Sequence, residues 1–151
     1  MATCARKSVL QKGNETRTGR VGELIAASAI ERYGGDPTIV RTDGYDIVAF
    51  LQDKYFRIDV KARAVCDQSK SYQFIVGKGA KSKRLMTTHD ADAVVLVAVD
   101  KRLVMFKHVK EMTGRTMRIA ARHFTQENER SSFQLVMMED RSSAFLHKNR
   151  A

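Results

Sequence analysis

Asp46, Asp59 and Lys61 are the residues of this 151-residue chain whose types and spacing suit joint chemistry. Residues 45–51 and 54–62 are runs of aromatic and branched side chains, separated by Gln52-Asp53. A two-residue loop at Gln52-Asp53 makes them a hairpin in which Leu51 opposes Lys54. Counting outward from that pair, Asp46 falls opposite Asp59. Directly opposed residues share a face, with Cβ atoms about 5 Å apart. Lys61, two residues beyond Asp59, is on that face too. Opposed carboxylates repel, so one pKa rises or a cation is drawn in. Such a pair can hold a hard divalent ion such as Mg²⁺. A neighbouring ammonium could orient and help deprotonate an attacking water while the ion polarises a phosphate oxygen, the requirements of phosphodiester hydrolysis. Spacing alone leaves a second reading open: a solvent-facing edge on which Asp46, Arg57, Asp59 and Lys61 are ordinary surface charges.

Elements must position these residues. A helix is predicted over 17–33, from Val21, Leu24, Ile25, Ala29 and Ile30 at helical spacing, with Thr16 or Thr18 as its cap. Gly34-Gly35 ends it. Glu23 is the one charged residue between Val21 and Ile30, so it either reaches solvent or is held by a cation. Strands are expected at 38–41, 45–51, 54–62, 72–76, 93–99 and 103–106. The apolar run 93–99 is a buried central strand. A short helix follows near 109–112, and 133–138 reads as a late strand. No repeat or interior linker divides the chain, which gives one α/β domain with a mixed sheet.

Composition narrows the function classes. The formal net charge is +10 and the pI about 9.9, which suits a polyanionic partner. The basic residues are not spread evenly. Arg6, Lys7, Lys12, Arg17 and Arg20 stand near the N-terminus, and Lys61, Arg63, Lys70, Lys78, Lys81, Lys83 and Arg84 fall within 60–84. Between them, 36–59 holds Asp36, Asp43, Asp46, Asp53 and Asp59 against Arg41, Lys54 and Arg57. An acidic island in a basic chain fits a cation site facing a phosphate backbone. Arg115, Arg118 and Arg122 have roughly helical spacing, though solvated surface is the better account of them. The longest apolar run is far shorter than the ~20 residues of a membrane span, and the first ten residues lack a signal-peptide core. Cys4 and Cys66 show neither metal-ligand spacing nor a disulfide framework, and free thiols point to a reducing cytosol. The four histidines form no ligand pattern.

Glu23 on a helix, Asp46 on a strand and Asp59-Val60-Lys61 on the next strand of a hairpin resemble the PD-(D/E)XK nuclease superfamily. The start of the helix, Gly19-Arg20-Val21-Gly22-Glu23-Leu24, and the segments Tyr45-Asp46-Ile47 and Arg57-Ile58-Asp59-Val60-Lys61-Ala62 are similar to small intron-encoded homing endonucleases and archaeal-type Holliday junction resolvases. The likeness spans 17–112. Tyr45 stands where the pattern has Pro, and the second acid is Asp rather than Glu. The resemblance implies a single-domain restriction-endonuclease-like α/β fold, a central mixed sheet flanked by helices, over 17–140. A flexible basic segment (1–16) and a tail (141–151) flank it.

It further implies a metal-dependent endonuclease acting on duplex or branched DNA, homing-type first and junction resolvase second. A non-catalytic DNA-binding protein on the same fold is the other alternative. Asp46, Asp59 and Glu23 would be the metal ligands and Lys61 the catalytic lysine, with Mg²⁺ as the ion and Mn²⁺ as its substitute. Arg17, Arg20, Arg63, Lys78, Lys81, Lys83 and Arg84 would meet DNA. Paired cuts call for a homodimer or homotetramer, with apolar 135–138 as a candidate interface. The setting expected is a cell or host-cell cytoplasm or nucleoid, with no membrane and no secretion.

Overall fold

The computed structural model describes residues 15–42, 44–79 and 81–139. The basic N-terminal residues up to 14 and the tail from 140 lie outside them. Helix α1 (Glu15–Arg32) precedes strands β1 (Asp36–Ile39), β2 (Ile47–Leu51), β3 (Lys54–Arg63), β4 (Ser71–Ile75), β5 (Ala93–Ala98), β6 (Leu103–His108) and β7 (Thr116–Ala120). Helix α2 (Gln126–Phe133) follows and runs into a π-helical turn, Gln134–Met138. The main sheet has the order β1-β2-β3-β5-β6, with β3 and β5 parallel and every other pair antiparallel. A separate ribbon pairs β4 with β7. The fold is therefore the mixed α/β arrangement expected.

Strand β5 explains the layering. All six of its residues are buried. Successive side chains point to opposite faces, and β5 feeds two cores. Ala93, Val95 and Val97 join Ala26, Ala29 and Ile30 of α1 and Phe133 of α2. Val94, Leu96 and Ala98 join Tyr72 and Phe74 of the ribbon, together with Phe124. The helices thus cover one face of the sheet and the ribbon covers the other.

Helix α1 starts earlier than the spacing predicts, so Thr16 and Thr18 lie inside it rather than at its cap. Leu24, counted with the apolar face, is 58% exposed, and the buried stripe runs instead through Ala26, Ala29 and Ile30. The C-terminus is as expected. Gly34 has φ +93°, Gly35 N–H donates to Ile30 O and Gly34 N–H to Glu31 O, a Schellman closure. Glu129 of α2, fully buried, accepts hydrogen bonds from Arg32, Tyr33 Oη and Val104 N–H, which ties both helices to β6.

Three sequence expectations are corrected. Residues 133–138 are helical, the end of α2 and its π turn, because Phe133, Val136 and Met137 reach the core at helical spacing. The arginines at 115, 118 and 122 do not share a helix. Arg118 lies on β7, where its guanidinium donates to Asp67, Ser69 and Gln73. Cys66 is disulfide-bonded rather than a free thiol, so the argument for a reducing compartment lapses; Cys4 lies outside the described residues. Among the described residues no helix is long and apolar enough to cross a membrane.

Candidate active site

The hairpin register is the one expected. Leu51 pairs with Lys54 and Ile47 with Ile58. Gln52 and Asp53 have φ of 50° and 60°, the signature of a type I′ turn. The ladder ends at Ile47, one residue short of Asp46. Asp46 N–H donates to Ile58 O at 2.9 Å, and its Oδ2 accepts the Val60 N–H at 2.8 Å. Beyond Ile58 the edge of β3 that faced β2 is open, and the Asp46 carboxylate satisfies the next free donor along it. That single hydrogen bond fixes the carboxylate beside Asp59.

Alternation along β3 sends Ile58 and Val60 toward the helices and Asp59 and Lys61 toward the ribbon side. Asp59 is 1% exposed. Lys61 Nζ stands 3.0 Å from its Oδ2, yet off the hydrogen-bond direction. Oδ2 therefore has an ion pair but is a buried acceptor with no hydrogen bond. Burial raises the Asp46 pKa, and the negative charges of Asp59 and Glu23 add to the rise against the Val60 hydrogen bond and Lys61. The repulsion inferred from the sequence is thus present, although burial is its larger partner.

Glu23 comes close enough to be felt by Asp46, but its carboxylate is ion-paired with Arg41, Nε to Oε2 at 3.0 Å. The structure thus brings Asp46, Asp59 and Lys61 together and leaves Glu23 at the margin. What seats Glu23 there is Gly22: a Cβ at that position would fall 2.5 Å from the Ala62 Cβ. Only glycine lets α1 lie this close to β3.

Sequence reasoning missed one member of the site. Lys78, grouped with the phosphate-facing lysines, turns inward. Its ammonium is ion-paired and hydrogen-bonded to Asp59 Oδ1, and donates to Gly44 O at 2.7 Å. Lys78 and Arg84 exchange backbone hydrogen bonds of 2.9 and 2.8 Å, closing the loop between them. Gly79 permits the turn with φ +108°, where a Cβ would sit 2.4 Å from Ser82 O. The glycines flanking Lys78 were the available signal, a tight turn in an otherwise basic run. Arg17, Arg20, Arg63, Lys81, Lys83 and Arg84 are exposed. Arg84 also forms a two-pronged pair with Asp90, at 2.9 and 2.7 Å.

Among the described residues no group of three or more His, Cys, Asp or Glu is gathered tightly enough to hold a metal ion. Mg²⁺, however, keeps most of its waters and needs only one or two carboxylates. Asp46 and Asp59 fit that smaller requirement: Asp59 Oδ2 is a buried acceptor with no hydrogen bond, met by the Lys61 ammonium at 3.0 Å. A cavity of about 530 Å³, lined by Leu51, Tyr55, Phe56, Val136 and Met137, opens at the turn end of the hairpin, away from these carboxylates.

A scan against protein-family models gives no match, and neither does a search of curated proteins. Among solved structures the chain is similar to a bacterial homing endonuclease, I-Ssp6803I. The TM-score is 0.56 and the identity 16%, over 70% of this chain and 74% of that one. At this identity the likeness concerns the fold. It is the architecture that the hairpin and helix motifs imply.

Proposed function

We propose that this chain is a metal-dependent DNA endonuclease of PD-(D/E)XK type. The observation that carries the proposal is the Asp46 carboxylate anchored on the Val60 N–H, near enough to Asp59 to feel its charge, with Lys61 ion-paired to Asp59. The fold likeness to a homing endonuclease favours a site-specific double-strand enzyme over a junction resolvase.

Asp59 and Asp46 would hold Mg²⁺, with Mn²⁺ able to replace it, and Glu23 would join them if Arg41 releases it. When bound, such an ion lowers the pKa of a coordinated water and neutralises phosphate charge. Lys61 orients the attacking water with its ammonium and balances charge that builds on the phosphate. The water oxygen bonds to phosphorus and gives up its proton to solvent, the bond to the leaving sugar oxygen breaks, and that oxygen takes a proton from solvent. The exposed Arg17, Arg20, Arg63, Lys81, Lys83 and Arg84 would carry the phosphate backbone. Paired cuts in a duplex need two such sites, hence a homodimer or homotetramer.

The test is incubation of the purified chain with plasmid, long linear duplex and a four-way junction, with and without Mg²⁺. Metal-dependent cutting of duplex is expected. Lys61→Ala should slow it by about 10²–10³-fold, the usual effect of losing one group that stabilises transition-state charge. Asp59→Asn should abolish cutting and leave DNA binding largely intact. Preference for the junction would favour the resolvase. Absence of cutting on every substrate with every divalent ion would leave a DNA-binding protein without catalysis.

A further inference from the structure

Two ammonium groups share one buried carboxylate at this site, and they are not equivalent. Lys61 lies on the same strand as Asp59, at the spacing the nuclease pattern requires, and meets Oδ2. Lys78 comes from a separate loop and takes Oδ1. It is not a wandering surface lysine. Its side chain is 14% exposed, its ammonium is also fixed by Gly44 O, and its backbone is clamped to Arg84 on both sides.

Sites that use two divalent ions place them about 3.5–4 Å apart, an arrangement for which a bridging carboxylate must offer one oxygen to each. Asp59 is the carboxylate suited to bridge here, because it is buried at the centre of the cluster. Its Oδ1 is already taken by a cation. Asp46 cannot readily replace it, because Asp46 Oδ2 is committed to the Val60 N–H. Charge leads to the same result. Asp46 and Asp59 face Lys61 and Lys78, so two incoming divalent ions would meet a cluster already near neutrality.

We propose that the Lys78 ammonium takes the place of a second divalent ion at Asp59, so that each chain binds one ion at this site. The inference rests on the metal-dependent reading above and adds its stoichiometry. It also gives Lys78 a positioning role. By holding Oδ1, the ammonium keeps Oδ2 turned toward the ion site and Lys61.

Calorimetric titration with Ca²⁺, on the full chain without DNA, tests this without reliance on cleavage. Wild type should bind one ion per chain. Lys78→Met removes the charge but keeps much of the side-chain volume, so it should bind two. Lys78→Arg keeps the charge and should remain at one. A residue of merely structural importance would instead lose binding when replaced. If Lys78→Met fails to fold by circular dichroism, Lys78→Gln takes its place. Two ions in wild type overturn the proposal, and that measurement needs no variant. One ion in both wild type and the charge-removed variant, or loss of binding in that variant, overturns it while leaving the metal-dependent reading intact. No ion in wild type overturns both.

Discussion

Gly22 of α1 and Ala62 of β3 meet at a distance that leaves no room for a Cβ on the helix. Gly22 immediately precedes Glu23, and Ala62 immediately follows Lys61. The contact therefore sets the separation between the helix and strand halves of the candidate site. Gly22→Ala should improve helix propensity by about 1 kcal/mol. Overlap with the Ala62 methyl, which is rigidly attached to backbone, costs about 1–3 kcal/mol. The overlap should prevail, with a net loss of up to about 2 kcal/mol. In the double variant Gly22→Ala/Ala62→Gly the loss should be smaller than the sum of the single losses, since the two sites are in contact. Urea unfolding of the four proteins checks this, and simple additivity would show that the contact is not limiting.

The Arg84–Asp90 pair should make stability depend on pH in a defined direction. The Arg84 hydrogen bonds, supported by the Thr87 N–H, hold the Asp90 carboxyl well below its ordinary value of 3.8. A depressed carboxylate contributes stability that is complete above the unfolded-state pKa and is lost as pH falls through the folded one. Asp90→Asn should therefore be less stable than wild type by a constant margin at pH 7 and pH 5. The margin should shrink at pH 3. Denaturant midpoints at the three values test this. A gap unchanged at pH 3 would mean that the Asp90 charge contributes nothing.

Lys81 and Lys83 are exposed in the loop that Lys78 and Arg84 close. If they contact phosphate, each contributes about 0.9 to the slope of log affinity against log salt on duplex DNA. Lys81→Ala/Lys83→Ala should therefore flatten the slope by about 2 without altering metal stoichiometry. Binding measured from low to moderate salt gives the answer, and an unchanged slope would remove both residues from the DNA-facing surface.

The hairpin was legible in the sequence because every cue agreed. Branched and aromatic runs flank a two-residue turn, and burial on one face fixes register. The Asp46–Asp59 proximity followed from that register. Lys78 was only partly legible: the glycines on either side mark a tight turn, but they do not say that its side chain turns inward while those at 81 and 83 stay exposed. Its direction depends on Asp59, 19 residues away, and on the close backbone approach at Gly79. The π turn after α2 was misread for a similar reason. Phe133, Leu135, Val136, Met137 and Met138 suit a strand by composition, and only the packing of Phe133, Val136 and Met137 against the sheet reveals the helical spacing. Strand β7 escaped notice because its outward side chains, Thr116 and Arg118, dilute a short apolar signal from Met117 and Ile119.

The parallel pairing of β3 with β5 has a consequence for the order of assembly. The β2–β3 hairpin closes through a two-residue turn, so it can form from local contacts alone. Residues 64–92 separate β3 from β5 along the chain, and that long excursion must be closed before the central sheet exists. Lys78 travels within it. During folding, Asp46 and Asp59 should thus come together before the excursion delivers the Lys78 cation to them. Substitutions in the hairpin should slow folding, and substitutions at Lys78 should chiefly hasten unfolding.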